Sequence, residues 1–332
     1  MMTNELLDPF VRLLADVCDP ATVRAVEAGG SPAALWDALH QSGFLDALVP
    51  EAAGGAGLSL GDIQPLIEAL GRFAVPVAVA ETMVARALLA RAGLTPPEGA
   101  IVLAQSAAGP AAGPALAGFV PLAMTAGYAL VDQGDRLALY DLAHVTRTPS
   151  GVHGSLGAFL SCGQAEPIAT LAAPVDGLRP IAAVLRAADM AGAADKLLHM
   201  TADWANERVQ FGKPIGRQQA IQQNMAVMAE LAVSMRIASQ IGCTTGLPPQ
   251  LETAALAKQI TSSAASQISN IAHAVHGAIG ISEEFDLQLY VRRLREWRLA
   301  DGSEQYWATV LGQRRLAHAA ENSVDFIRRC CA

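Results

Sequence analysis

The stretch from Glu207 to Ile215, Glu-Arg-Val-Gln-Phe-Gly-Lys-Pro-Ile, most constrains the chain. Glycine at 212 supplies a backbone freedom that other residues lack, and Pro214 cannot continue a helix, so two helical segments must reverse here. Gln218, Gln219, Ile221 and Gln222 then open a second, amphipathic helix. In that helix Ile221, Met225, Met228, Leu231, Ala232 and Met235 recur at helical spacing. A methionine-rich stripe of this kind reads as core packing.

The pattern is helical on either side of a different middle. From Glu5 to Gly93, Leu6, Phe10, Leu13 and Leu14 make one apolar stripe, and Leu35, Trp36 and Leu39 begin another that Gly43 ends. A loop with three glycines follows between Leu48 and Ser59, and Gly61-Asp62 lead into a helix through Leu66, Ile67 and Leu70. By itself that loop also reads as a plain connection between helices. Between Pro96 and Asp176 short apolar runs (Ile101–Leu103, Ala129–Val131, Leu137–Tyr140) alternate with turn residues, the mark of a small β domain. Gln133-Gly134-Asp135-Arg136 reads as a hairpin turn. Helical pattern resumes at Leu178, with a long alanine- and serine-rich helix over Leu251–Val275, then Tyr290–Leu299 and Glu304–Ala319. The expected organisation is a helical domain over 1–97, a β domain over 98–177 and a helical bundle over 178–332.

Composition narrows the function classes. The chain is 52% hydrophobic and only 16% charged, so its helices bury more than one face, as when subunits pack together. A net charge of −8 argues against a nucleic-acid partner, although local arginines can still hold a phosphorylated ligand. Arg186, Asp189, Asp195, Lys196, Lys258 and Gln259 interrupt the most apolar helices, so no membrane span is expected. The first ten residues show no secretory pattern. Five cysteines, Cys18, Cys162, Cys243, Cys330 and Cys331, lack metal-ligand spacing, which points to no metal site and to a reduced, cytoplasmic setting.

The segment Arg208-x-Gln210-Phe211-Gly212-x-Pro214-Ile215, with Gln219-x-Ile221-Gln222, resembles the signature of acyl-CoA dehydrogenases. The run from Trp36 through Val49-Pro50-Glu51, Gly54-Gly55, Gly57-Leu58-Ser59 and Glu68-x-Leu70-Gly71-Arg72 resembles that family's amino-terminal domain. The resemblance implies a mostly α fold with a small central β-barrel-like domain and a carboxyl-terminal four-helix bundle. It implies FAD as cofactor, an acyl-CoA substrate of fatty or steroid catabolism, and an electron-transfer flavoprotein as acceptor. The reaction would remove the α-proton and deliver a hydride from the β carbon to flavin N5.

Residue by residue, the resemblance assigns Arg208, Gln210 and Phe211 to cofactor binding, with the arginine on the pyrophosphate of a flavin held mostly by a neighbouring subunit. Its other reading is a surface pair with Glu207. Ala274-Val275-His276-Gly277-Ala278-Ile279-Gly280 resembles the family's Q-x-H-G-G-x-G loop, which implies cofactor roles for His276, Gly277 and Gly280. The family's glutamine is Ala274 here and its second glycine is Ala278. His276 also reads as a packed or capping histidine. Asp301-Gly302-Ser303 resembles the family's glutamate-glycine-serine/threonine segment. Asp301 is therefore the candidate base and Ser303 a cofactor-binding candidate; the other reading of Asp301 is a helix N-cap.

A base in this chemistry needs a carboxylate in a closed, apolar site, and aspartate falls about 1 Å short of glutamate, enough to matter. The position of the alternative family base is Ala182. The family's middle-domain T-E-P-x-x-G-S-D and W-I-T-N segments are missing, and Val102–Pro110 occupies the place of the first. These departures favour the smaller subunit of a heteromeric acyl-CoA dehydrogenase, a heterotetramer, over a homo-oligomer that works alone. A partner subunit without redox chemistry is the other reading.

Overall fold

The computed structural model describes residues 2–106, 116–318 and 320–331. Ala107 to Pro110, part of the segment read against the missing flavin motif, and Ala319 lie outside the described residues. Five helices come first: α1 (Met2–Val17), α2 (Pro20–Glu27), α3 (Ala33–Gln41), α4 (Leu60–Arg72) and α5 (Val79–Arg91). Gly43 follows α3 in the left-handed region, as a glycine at that place must to turn the chain. In the glycine loop Glu51–Ala53 forms a 3-10 turn. Ser59 and Asp62 close a reciprocal capping box at the start of α4, which satisfies two otherwise orphaned amide donors.

Seven strands follow among the described residues: β1 (Ile101–Gln105), β2 (Leu116–Val120), β3 (Tyr128–Asp132), β4 (Arg136–Asp141), β5 (Thr146–Pro149), β6 (Ala158–Ser161) and β7 (Ala169–Ala172). They form one sheet in the order β1-β3-β4-β7 and another in the order β2-β6-β5, and among the described residues neither closes into a barrel. The turn at Gln133–Asp135 joins β3 to β4 in antiparallel register, Asp132 opposite Leu137. β1 instead runs parallel to β3, Ile101 opposite Tyr128. Strand alternation splits the sheet's side chains between two cores. Ile101, Leu103, Leu130, Leu137 and Leu139 join the helical core, while Val102, Ala104, Ala129, Val131 and Ala138 face the β2-β6-β5 side.

The remainder is helical: α6 (Arg179–Glu207), a two-strand hairpin β8 (Val209–Gln210) and β9 (Lys213–Pro214), then α7 (Gln219–Cys243), α8 (Leu251–His276), α9 (Leu287–Leu299), α10 (Glu304–Ala317) and α11 (Ser323–Cys331). With 29 residues, α6 is about 43 Å long at about 1.5 Å per residue. It packs against α4, α7, α8 and α9 and is buried almost all round up to Ala194. Close approach of α4 and α6 requires glycine: a Cβ on Gly192 would overlap the Glu68 carbonyl, and one on Gly71 the Asp189 carbonyl. Met228 and Met235 of α7 are buried and Met225 packs at the core edge, so the methionine stripe is core. Among the described residues no helix is long and apolar enough to cross a membrane, and no group of metal-ligating side chains forms.

Candidate functional site

Two concavities gather the residues that the sequence singles out. The first is a cleft of about 500 Å³ where α6, the β8–β9 hairpin and the end of α8 meet. Arg208 ends α6 as its C-cap, and the Ile215 amide donates back to its carbonyl at 2.8 Å. The hairpin loop is Phe211-Gly212, both at positive φ (53° and 76°), the backbone that a two-residue hairpin favours. Arg208, Gln210 and Phe211 thereby line the same cleft as His276 and Gly277. The Arg208 guanidinium lies 5.8 Å over the Trp204 ring and forms no ion pair among the described residues; the pair with Glu207 is absent.

His276 forms the cleft's polar floor. Its Nδ1 sits 2.8 Å from the Ala272 carbonyl, which can only accept, so Nδ1 carries the proton and Nε2 is left as an acceptor. Burial lowers the histidine's pKa and favours the neutral ring. The ring stacks on Trp204, centroids 5.6 Å apart. His276 Nε2 and the Trp204 indole N–H are both buried without a partner among the described residues, a costly state for polar groups away from water. Gly277 has φ +65°, which leaves the backbone turned as few other residues allow. Gly280 does not line the cleft; it is buried behind it, where a Cβ would stand 3.0 Å from His276 and Leu287.

Asp301 and Ser303 belong elsewhere. Ser303 caps α10 by accepting the Tyr306 amide, so the N-cap is Ser303 and not Asp301. Asp301, at φ +59°, lines a cavity of about 780 Å³ between the strands and α9–α10. Its Oδ2 is 3.5 Å from Nε of Arg186. That buried guanidinium also donates to Glu81 at 2.7 Å and to Asp189 at 3.2 Å. Burial works against the guanidinium's charge, but Glu81, Asp301 and Asp189 together raise its pKa. Burial pushes the Asp189 carboxyl well above the usual range, against the opposing pull of Arg186. One guanidinium thus faces three carboxyl groups, at 2.7, 3.2 and 3.5 Å.

Lys258 of α8 locks the loop from the other side. Its ammonium donates to the carbonyls of Trp297, Arg298 and Gly302 (2.9, 3.1 and 3.0 Å) and to Ser262. Burial pushes its pKa down to about 7, with Asp301 resisting that shift. Sequence reasoning overlooks three further cavity residues, Arg179, Arg295 and Glu296. For Arg295 and Glu296 the only signal is the density of charge in Arg292-Arg293-Leu294-Arg295-Glu296, and Arg179 carries none.

Residues 3–95 match the family model "Acyl-CoA dehydrogenase, N-terminal domain" and residues 181–316 the model "Acyl-CoA dehydrogenase, C-terminal domain". The chain is 33% identical over 298 residues to acyl-CoA dehydrogenase IpdE2 of Mycolicibacterium smegmatis, covering 87% of this chain and 91% of that protein. It is 32% identical over 309 residues to acyl-CoA dehydrogenase IpdE2 of Mycobacterium tuberculosis, covering 87% and 89%. Among solved structures, a variant of the Tcur3481-Tcur3483 steroid ACAD superposes with a TM-score of 0.80 at 24% identity, covering 96% of this chain and 99% of that one. The ChsE4-ChsE5 complex from Mycobacterium tuberculosis gives 0.75 at 21%, covering 96% and 98%. At these identities the structural likeness is one of fold.

Proposed function

The chain belongs to the acyl-CoA dehydrogenase family, and on that premise we propose that it serves flavin-dependent α,β-desaturation of an acyl-CoA thioester as one subunit of a heteromeric enzyme. In this reading it supplies the Arg208–His276 cleft to a flavin site that a partner subunit completes. The observation that carries the reading is the pair of buried, unpartnered polar atoms in that cleft, the Trp204 N–H and His276 Nε2, beside an arginine without a counter-charge.

The cleft's donors suit the phosphate-bearing half of FAD. Arg208 offers a planar fork to phosphate oxygens, His276 Nε2 an acceptor for a hydroxyl or amino group, and Gly277 close backbone approach. FAD held there would supply the acceptor for the hydride that leaves the β carbon. A carboxylate must take the α-proton, and a cavity that excludes water must hold the thioester. Asp301 is this chain's candidate for that carboxylate, but it faces Arg186 in a buried network, and Lys258 pins its loop. We therefore assign the working base to the partner and give Asp301 the role of anchoring the loop between α9 and α10.

The fold neighbours named as pairs, Tcur3481-Tcur3483 and ChsE4-ChsE5, agree with a two-chain enzyme, one of them described as a steroid ACAD. The exposed apolar side chains of α7, Val227, Val233 and Ile237, offer a face for assembly. The test is to purify the chain alone and together with the product of an adjacent dehydrogenase gene, then record visible spectra and subunit stoichiometry. Flavin absorption is expected only in the co-purified complex. A single chain that carries about one flavin per subunit would overturn the heteromeric reading.

A further inference from the structure

The cavity beside Asp301 combines two features that the proposed desaturation does not require. Around it stand large apolar side chains with much of their surface in solvent: Val152 (62% exposed), Phe159 (45%) and Leu299 (63%). Phe159 meets Phe119 edge to face at 5.8 Å, so this wall is aromatic as well as open. Side chains of this kind gain free energy when an apolar group covers them.

The same cavity is lined by guanidinium groups that lack counter-charges. Arg179 gives its Nε–H to Gln105 and lies 4.9 Å over the Tyr306 ring, which leaves both terminal nitrogens without an acceptor among the described residues. Arg295 donates only to Asn270, at 3.2 Å, and forms no ion pair among the described residues. The remaining charged groups on the lining have other partners, that of Glu296 being only a neutral hydroxyl. Arg292 pairs with Glu27, Asp301 faces Arg186, and Glu296 accepts a hydrogen bond from Ser155.

We propose that this cavity takes an apolar acyl group that carries a carboxylate away from its thioester, the apolar rim covering the body and Arg179 or Arg295 receiving the carboxylate. A guanidinium whose Nε is occupied and whose plane rests on a ring still offers two terminal N–H groups, the fork that a carboxylate matches. The oxyanion could instead be a phosphate of coenzyme A, which offers the same charge. The exposed rim favours the acyl carboxylate, because a nucleotide phosphate brings no apolar body to cover Val152, Phe159 and Leu299. The inference rests on the desaturase reading for the thioester and for a partner base that reaches into this cavity.

The test needs neither flavin nor turnover, so its failure and the failure of that reading are separable. The full chain is titrated calorimetrically with 1-adamantanecarboxylate, with the uncharged 1-adamantanemethanol, and with coenzyme A as competitor. The carboxylate is expected to bind about tenfold or more tightly than the alcohol, the size of one charge-assisted contact. Coenzyme A should not displace it. Arg179→Gln together with Arg295→Gln should reduce the preference to about twofold or less and leave the alcohol's affinity unchanged, while Arg179→Lys should keep part of it. Equal affinity of acid and alcohol in the wild type would overturn the proposal, as would an undiminished preference in the folded double variant. Binding of coenzyme A in place of the carboxylate would overturn it in favour of a phosphate site.

Discussion

Replacing Arg186 by Met tests the buried network most directly. The guanidinium is the cation shared by Glu81, Asp189 and Asp301, with contacts of 2.7, 3.2 and 3.5 Å, and its side chain is 3% exposed. Methionine fills a comparable length of the same slot, so the packing change itself should cost less than about 1.5 kcal/mol. The larger cost is electrostatic, since each charge-assisted hydrogen bond contributes about 1.5–3 kcal/mol and two of the three contacts are 3.2 Å or shorter. Stranding buried partners in this way destabilises by about 3–5 kcal/mol. At about 2.1 cal/mol/K per residue over 332 residues, the unfolding entropy is about 0.7 kcal/mol/K, so Tm should fall by about 4–7 °C.

The pH dependence sharpens this test. Asp189 has a raised pKa in the native protein and Arg186 is the main group that opposes the rise. Without Arg186 it rises further. A carboxyl with a raised folded pKa contributes stability that is full below its unfolded value and is lost as pH climbs through the folded one. The deficit of Arg186→Met should therefore be larger at pH 8 than at pH 5, read by circular-dichroism melting at both. Arg186→Lys, which keeps the charge and loses the fork, should fall between the variant and wild type. A loss below about 1 °C at pH 8, or a deficit that does not change with pH, would show that the carboxyl groups find water and refute the reasoning.

Lys258 has the opposite sign: its folded pKa, about 7, lies below its unfolded value, so stability should rise with pH from 7 towards 10.5. Lys258→Met should flatten that slope in urea melts at pH 7, 8 and 9, and an unchanged slope would assign it to another group. Arg208→Ala should strip FAD from the assembled complex, at a cost of about 1.5–3 kcal/mol in flavin affinity, while helicity and melting stay as in wild type; unchanged flavin content would remove Arg208 from the cofactor site. Asp301→Asn in the assembled enzyme should retain turnover of acyl-CoA, because the base is assigned to the partner. A flavin-loaded but inactive variant would return that role to Asp301.

What the sequence determined by itself is what depends on neighbours a few residues away. The reversal at Phe211-Gly212, the Gln133–Asp135 turn, the helix stop at Gly43 and the methionine stripe of α7 all follow from local backbone preference and from repeats of 3.6 or 2 residues. Half of the candidate site was legible for the same reason, since Arg208, Gln210 and Phe211 sit on one hairpin and His276 and Gly277 at one helix end. Tertiary structure alone decided that these two stretches share a cleft, and that Gly280 and Ser303 do not line it. It also decided that β1 pairs parallel with β3 across an intervening strand, a choice that apolar runs leave open. In sequence Arg186, Asp189 and Lys258 were only interruptions in apolar helices. Their partners lie far along the chain, Glu81 at 105 residues and Asp301 at 115 from Arg186, and Gly302 at 44 from Lys258. A charge can be buried only where distant backbone delivers its counter-charge or its carbonyls. Helix packing therefore decided what the pattern along the chain could not: which carboxylate faces the cavity, and which cation holds it.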